Sequence, residues 1–192
     1  MSYGLDCRLQ SVNLKPNRTE GNFQTLVLKV GYAQKGTPQH KRLLRKNCNN
    51  VLEIDYSFNE KISSKETITL TNGGEILSYS FTDLVAEKLR AIIQQEPRNR
   101  IRRQDAYDLY RLFKSNEPQS NQKKKILKSL IEKSESRNLH VAKNSMANKE
   151  IKRRSKKEYH LLKNEIEETL PGFDKVYSAV QEFYESLPWE ND

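Results

Sequence analysis

Apolar and polar residues alternate along the first half of the chain, which is the pattern of strands that are buried on one face. One run covers residues 24–33, and its apolar side consists of Leu26, Leu28, Val30 and Tyr32. The apolar side of a second run consists of Leu52, Ile54, Tyr56 and Phe58. Two further runs, 66–71 and 75–80, flank Asn72-Gly73-Gly74. This turn favours a hairpin because Asn and Gly tolerate a positive φ, so the first half is predicted to be mostly sheet.

The spacing of the apolar residues becomes helical after Ser80. Ser80 and Asp83 begin a first predicted helix in the arrangement of a weak capping box. Its apolar stripe is formed by Leu84, Val85, Leu89, Ile92 and Ile93. A second helix is predicted over residues 104–114, and its inward residues are Ala106, Leu109, Tyr110 and Phe113. A basic loop at 97–103 separates the two helices.

The remainder of the chain has helical spacing only, around residues 126–131, 159–170 and 176–187. Residues 116–125 are polar and are expected to form a linker. We therefore predict an α+β fold, with a mixed or antiparallel sheet of about four or five strands flanked by helices and followed by a C-terminal helical bundle. The expected domains are 1–116 and 117–192.

Composition indicates a globular protein. Apolar residues make up 35% of the chain, and nine Tyr, six Phe and one Trp supply bulky core material that disordered chains lack. No apolar run approaches the ~20 residues of a membrane span, and the first ten residues lack the apolar run of a secretory signal. Cys7 and Cys48 do not form a Cys-x-x-Cys pair and are typical of free thiols in a reducing cytoplasm. We expect a cytoplasmic protein.

The net charge of +9 is unevenly distributed. Residues 98–163 carry +13, whereas residues 164–192 carry −7. Two explanations fit this pattern: the basic segment meets phosphate groups of a ligand or nucleic acid, or the two segments pack together and neutralise each other.

The residues that point to chemistry are acids on predicted strands and a lysine on a predicted helix. The chain has no Gly-rich phosphate loop, so phosphate chemistry must rely on side chains and metal. Asp6 and Asp55 are strand carboxylates, and two such groups on adjacent strands would bind a divalent cation. Lys88 lies among apolar residues of its helix, and Asp105 and Asp108 share one helical face. An ion pair between the two helices explains this second group equally well.

The pattern Leu-x-x-Glu-Lys-Leu-Arg-Ala around Lys88, followed by Arg-Arg-x-Asp-x-Tyr-Asp-Leu-Tyr at 102–110, resembles the second half of the AbiEii/AbiGii-type nucleotidyltransferases. These proteins are toxins of type IV toxin–antitoxin systems. Val51-Leu52-Glu53-Ile54-Asp55 resembles the strand that carries their third acidic residue, and Ser2-Tyr3-Gly4-Leu5-Asp6 resembles their Ser-x-Asp-Leu-Asp. The resemblance extends over residues 2–113 and implies that 1–116 is a nucleotidyltransferase-like domain.

The resemblance implies Mg²⁺ and NTP as cofactors, transfer of a nucleoside monophosphate to an acceptor such as tRNA, and an antitoxin partner. It assigns metal binding to Asp6 and Asp55, and nucleotide binding to Ser2, Lys88 and Arg103. The catalytic residues that it implies are Asp55, Lys88, Asp105 and Asp108. Two departures stand against full activity: Gly4 replaces the first acid of the pair, and the printed chain starts after the family's Gly-Ser helix start, which we expect to be lacking.

Three functions are therefore compatible with the sequence. The first is an active nucleotidyltransferase. The second is a degenerate nucleotidyltransferase that keeps the fold and acts as a nucleotide-, nucleic-acid- or protein-binding module. The third is a nucleic-acid-binding module whose basic region is the active surface, although Lys-rich helices are more often merely solvated.

Overall fold

The computed structural model of the protein describes residues 4–15 and 24–189, which contain five strands and six α-helices. The strands are β1 Leu5–Lys15, β2 Thr25–Gln34, β3 Val51–Ser57, β4 Lys65–Thr69 and β5 Glu75–Tyr79. The α-helices are α1 Pro38–Leu44, α2 Phe81–Ile93, α3 Arg103–Ser115, α4 Ser120–Glu135, α5 Lys149–Lys156 and α6 Phe173–Glu185. Short 3₁₀ helices lie at Ser145–Ala147 and Tyr159–Asn164. The predicted α+β class is confirmed.

The chain divides into two compact units, Met1–Glu60 and Lys61–Asp192. In the first unit, β1, β2 and β3 form an antiparallel sheet in that order. The register of β1 against β2 shifts by one residue between Leu9 and Ser11, at a β-bulge. The apolar residues of β1 are therefore at odd-numbered positions before the bulge and at even-numbered positions after it. Helix α1 packs on one face of this sheet, where the fully buried Leu43 covers Gly31.

The opposite face of this sheet is apolar and exposed to solvent. It carries no charged residue and is formed by Leu5, Cys7, Leu9, Val12, Leu14, Leu26, Leu28, Val30, Tyr32, Leu52, Ile54 and Tyr56, which we call the apolar face. Leu52 and Tyr56 are each 58% exposed. The buried strand residues instead are Val27, Gly31 and Ala33, on the face toward α1. The alternation that predicts the strands is therefore present, but its apolar side is not covered.

The second unit begins with the predicted hairpin. Strands β4 and β5 pair antiparallel around Gly73, whose φ of +82° is one that glycine adopts readily. Helix α2 follows at once, and its N-cap Ser80 accepts a hydrogen bond from the Asp83 backbone N–H. Helices α2 to α6 share one hydrophobic core, whose fully buried members include Leu89, Leu109, Ile126, Leu130, Val176, Tyr177 and Tyr184. None of the described helices is both long and apolar enough to cross a bilayer.

Several elements differ from the expectation. The five strands form two antiparallel sheets, of three and two strands. Helix α4 begins at Ser120, so only the first part of the predicted linker 116–125 is extended. The helix expected at 159–170 is a 3₁₀ helix that ends at Asn164, and Glu158 before it has a φ of +61°.

The boundary between the compact units lies at residues 60 and 61, and the expected boundary at 116 and 117 falls inside the second unit. Helices on both sides of that point contribute to the same core. The division into a nucleotidyltransferase-like part, 1–116, and a helical part, 117–192, stays a prediction about function, because it follows motifs and not contacts.

Candidate functional site

The second unit brings Lys88, Asp105 and Asp108 together between α2 and α3. Leu89 faces the core from α2, which turns the neighbouring Lys88 to the edge of the buried stripe. Leu109 faces the core from α3, and Asp105 and Asp108 lie beside the buried face of that helix. Residues three apart share one side of a helix, and both carboxylates therefore meet the lysine.

The three side chains form a compact ionic cluster. Lys88 Nζ donates to Asp108 Oδ2 at 2.7 Å and to Asp105 Oδ1 at 3.0 Å. The side chains of Lys88, Asp105 and Asp108 are 19%, 14% and 29% exposed. Arg102 Nη1 lies 3.7 Å from the other oxygen of Asp105. The ammonium is thus held in place, yet it is still within reach of solvent and of a ligand.

The electrostatics of the cluster keep the lysine protonated. Burial opposes the charged form of Lys88, but the negative charges and hydrogen bonds of Asp105 and Asp108 outweigh it, so the pKa of Lys88 is raised above its ordinary value. A protonated amine cannot act as a general base at neutral pH. It can bind an anion such as a phosphate oxygen.

Arg103 lies in a different ionic group of the same unit. Its guanidinium donates to Glu165 at 2.7 Å and to Glu158 at 3.1 Å. A comparable contact joins Arg111 to Glu168 at 2.9 Å. The two arginines of α3 are thus paired with acidic residues that follow α5, which favours mutual neutralisation for this part of the basic segment.

Sequence reasoning missed a buried ionic network that connects α2 and α4. Lys133 and Asp83 are 2% and 0% exposed, and Lys133 Nζ lies 3.1 Å from Asp83 Oδ2. Glu87 lies 3.7 Å from the same ammonium and also forms an ion pair with Arg90. Burial raises the pKa of Glu87, but the hydrogen bonds and charge of Arg90 lower it by more, so the pKa of Glu87 lies below its ordinary value. The only signal in the sequence is that Lys133 continues the helical stripe of Ile126 and Leu130.

Asp6 is placed in the first unit, near the start of β1. Its Oδ2 atom is 3.0 Å from His40 Nε2 and accepts a hydrogen bond from Arg8 Nε, also at 3.0 Å. These contacts, with His40 contributing most, hold the pKa of Asp6 below its ordinary value. The carboxylate is therefore ionised, and one of its oxygens is already engaged by protein groups.

Asp55 is exposed on β3 of the same sheet, opposite Val27 of β2. Asp6 lies opposite Ala33, six residues further along β2, and this spacing corresponds to on the order of 20 Å along the strand. Metal ligands lie within about 2–2.6 Å of their ion, so Asp6 and Asp55 do not fit a shared cation. No group of three or more His, Cys, Asp or Glu side chains in the described ranges has metal-binding geometry.

Each of the two compact units contains some of the other assigned residues. Ser2 lies outside the described residues. Asp6 and Asp55 belong to the first unit, whereas Lys88, Arg103, Asp105 and Asp108 belong to the second. Within the second unit, the structure brings together Lys88, Asp105 and Asp108, which lie on α2 and α3.

Comparison with known proteins identifies the family of the chain. The model of the family described as nucleotidyl transferase AbiEii toxin, type IV TA system, matches residues 13–183 of the 192-residue chain. Asp55, Lys88, Asp105 and Asp108 lie within the matched span, and Asp6 lies before it. Neither a curated protein nor a solved structure matches the chain. Because the family model spans most of its length, the chain belongs to the AbiEii nucleotidyl transferase toxin family of type IV toxin–antitoxin systems.

Proposed function

We propose that this protein transfers a nucleoside monophosphate from an NTP to an acceptor such as tRNA, and that Lys88 binds the phosphate groups of the nucleotide. The observation that carries the proposal is the position of the Lys88 ammonium, which is fixed by two carboxylates and remains partly exposed. Family membership supports the class of reaction.

Lys88 acts in this proposal by electrostatics. Phosphoryl-type transfers depend mainly on the positioning of the reacting groups and on cations placed at oxygens where negative charge develops. The raised pKa of Lys88 keeps the amine charged throughout the physiological range. A phosphate oxygen that approaches the 19% exposed side chain meets this charge without a change of helix packing.

Asp105 and Asp108 orient the amine. Each carboxylate accepts one hydrogen bond from Nζ, and an ammonium has three donors. One donor of Lys88 is thereby left for a ligand. Asp108 is the more exposed of the two acids, so it is also the acid that we place nearest to the acceptor hydroxyl.

In this proposal, Asp55 is the residue that binds the metal ion. Magnesium commonly binds to one or two protein carboxylates and completes its shell with substrate phosphates and water, and a single exposed carboxylate on β3 is compatible with that mode. When bound with the nucleotide, Mg²⁺ neutralises charge on the phosphates. The role of Asp55 rests on the resemblance of its strand to the family's acidic strand.

The arginines of the loop between α2 and α3 favour binding of a polyanionic acceptor. Burial lowers the pKa of Arg98, and the like charges of Arg100, Arg90 and Arg102 lower it further. A group of mutually repelling guanidinium groups favours the approach of phosphates, which relieves the repulsion. This loop is adjacent in sequence to α3, which carries Asp105 and Asp108.

The direct test is transfer of label from α-labelled NTPs to tRNA in the presence of Mg²⁺. We expect Lys88→Ala and Asp55→Ala to lower the rate at least about 100-fold, as removal of one charge-stabilising contact typically does. The matched control is Arg111→Ala, which removes a basic residue of α3 from an exposed ion pair and should leave the rate within about twofold. Unchanged transfer by Lys88→Ala contradicts the proposal, provided that its circular dichroism spectrum is native.

A second function is favoured by specific geometry. Asp6 is engaged by His40 and Arg8, and it lies far from Asp55 along the sheet. We propose, as the alternative, a degenerate nucleotidyltransferase that keeps the fold and acts as a nucleotide-, nucleic-acid- or protein-binding module. The two proposals differ in turnover: the alternative predicts NTP or RNA binding that Lys88→Ala weakens, without any labelled product. Tight Mg²⁺-dependent NTP binding followed by transfer contradicts it.

The family implies an antitoxin as partner. We propose that the antitoxin, when it is produced together with this chain, suppresses the growth defect that the active protein causes. The Lys88→Ala variant should cause no such defect, whereas Arg111→Ala should behave as the unaltered chain does.

A further inference from the structure

The apolar face of the three-stranded sheet is the feature of the described residues that the proposed function does not use. An antiparallel sheet normally places its apolar side on a core and its polar side in water. Here the charged residues Asp6, Arg8 and Lys29 occupy the side to which α1 is bound. The apolar face is the side left in solvent, and Leu52, Ile54 and Tyr56 are about half exposed there.

We propose that the apolar face is the contact between two copies of this chain, stacked sheet on sheet as a symmetric dimer. A twofold symmetric contact places the same surface on both subunits. Paired sheets stack with their faces about 10 Å apart, and a three-stranded sheet without charged side chains on that face has the shape for it.

The size of the face agrees with an interface between copies. Twelve positions, spaced about 4.8 Å across strands and about 6.8 Å along them, cover roughly 400 Å² in projection. Side chains stand out from this plane, so two stacked copies would remove on the order of 1,000 Å² from water, where specific interfaces begin. The area lies at the lower limit of specific interfaces, so we expect a dimer that dissociates on dilution.

The charge of the chain limits the surface through which two copies can associate. Each copy carries +9, and two such chains repel wherever their charged surfaces meet. The apolar face is the one side of the sheet on which no charged residue lies. Two copies can thus approach through it without placing like charges opposite each other.

Sedimentation of the full chain over a range of concentrations tests the proposal. We expect twice the 22.5 kDa of one chain at high micromolar concentration, and a return to a single chain in Leu52→Asp, which places a charge in the face. The matched control is Leu77→Asp, which adds the same charge at a 66% exposed strand residue of the other sheet and should still form the dimer. A single chain at every concentration overturns the proposal, as does a Leu52→Asp protein that remains dimeric.

Cys7 provides a second measurement, which reports directly on the apolar face. It is exposed and lies opposite Tyr32 on the apolar face. In a Cys48→Ser background, its rate of reaction with a maleimide should fall as the protein concentration rises, and should stay constant in Leu52→Asp. Protection that is independent of concentration in a single chain, or binding of that single chain to neutral phospholipid vesicles, assigns the face to another occupant and also overturns the proposal.

Discussion

Replacing Lys133 by Met should be among the most destabilising single changes in the second unit. The ammonium is 2% exposed and lies 3.1 Å from a carboxylate oxygen of the fully buried Asp83. It also donates to the backbone oxygen of Lys61 at 2.6 Å. Met preserves most of the volume of the side chain, so the change removes charge and hydrogen bonds and leaves the packing largely intact.

The size of the stability loss depends on the Asp83 carboxylate, which stays buried after Lys133 is replaced. Asp83 Oδ1 accepts hydrogen bonds from Ser129 Oγ at 2.6 Å and from the Ser63 backbone N–H at 3.3 Å. Its Oδ2 accepts no directed hydrogen bond from the described residues and has only the ion pair with Lys133. A buried charge that loses its partner costs about 3–5 kcal/mol. We expect a loss of that size in the free energy of unfolding of the Lys133→Met variant.

The compensating change distinguishes this cause from lost packing. Asp83→Asn removes the stranded charge but retains an oxygen for Ser129 and Ser63. The double variant Lys133→Met/Asp83→Asn should therefore recover about 0.5–3 kcal/mol relative to Lys133→Met, which is the usual range for directly interacting residues.

Urea unfolding monitored by fluorescence of Trp189 measures these values. Trp189 is the chain's one Trp, and it donates to the backbone oxygen of Tyr184 in the core of the second unit, so its signal reports that unit. The control is Lys128→Met, an exposed position on the same helix, which should change the stability by less than about 0.5 kcal/mol. A loss below about 1 kcal/mol for Lys133→Met, or no recovery in the double variant, refutes the reasoning.

Three further outcomes follow from local geometry. Gly31→Ala places a methyl group 2.8 Å from Leu43 Cδ1 and should cost about 1–3 kcal/mol of first-unit stability in a denaturant titration followed by circular dichroism. Ser80→Ala removes the side-chain cap of α2 and should cost about 1 kcal/mol, seen in the Trp189 signal. Hydrogen bonds from Arg153 lower the pKa of Glu150 to about 2; because its folded pKa is depressed, the stabilisation lost in Glu150→Gln is present above pH 4.5 and should disappear as the pH falls toward 2.

The order of elements is largely readable from the sequence, and the exceptions have physical reasons. Strand β1 is obscured because the bulge between Leu9 and Ser11 changes the parity of its apolar positions. Helix α1 has seven residues, of which only Leu43 is buried. The sequence therefore has no apolar stripe that would predict this helix. The helix expected over residues 159–170 is instead a 3₁₀ helix that ends at Asn164, and Glu158 before it has a left-handed backbone. Apolar spacing encodes neither feature.

The side of a sheet that is covered is not contained in an alternating pattern. Alternation shows that two faces differ, and chemistry suggests that the apolar one is buried. In the first unit, α1 instead packs over Gly31, where the missing side chain allows Leu43 to approach. A small residue on the polar side thus makes room for the helix, and a single glycine in the sequence does not predict this against an alternating pattern of twelve positions.

The candidate site shows the same limit in its ionic groups. Lys88 and Lys133 both follow a helical stripe, and both meet two carboxylates contributed by other turns of helix. From the sequence, only the resemblance separates them. Burial separates them physically, because a ligand reaches a 19% exposed ammonium and does not reach one that is 2% exposed. Lys133 therefore holds α2 and α4 together, and Lys88 is the lysine of the two that phosphate can reach, which is why the loss of one should appear in unfolding and the loss of the other in transfer.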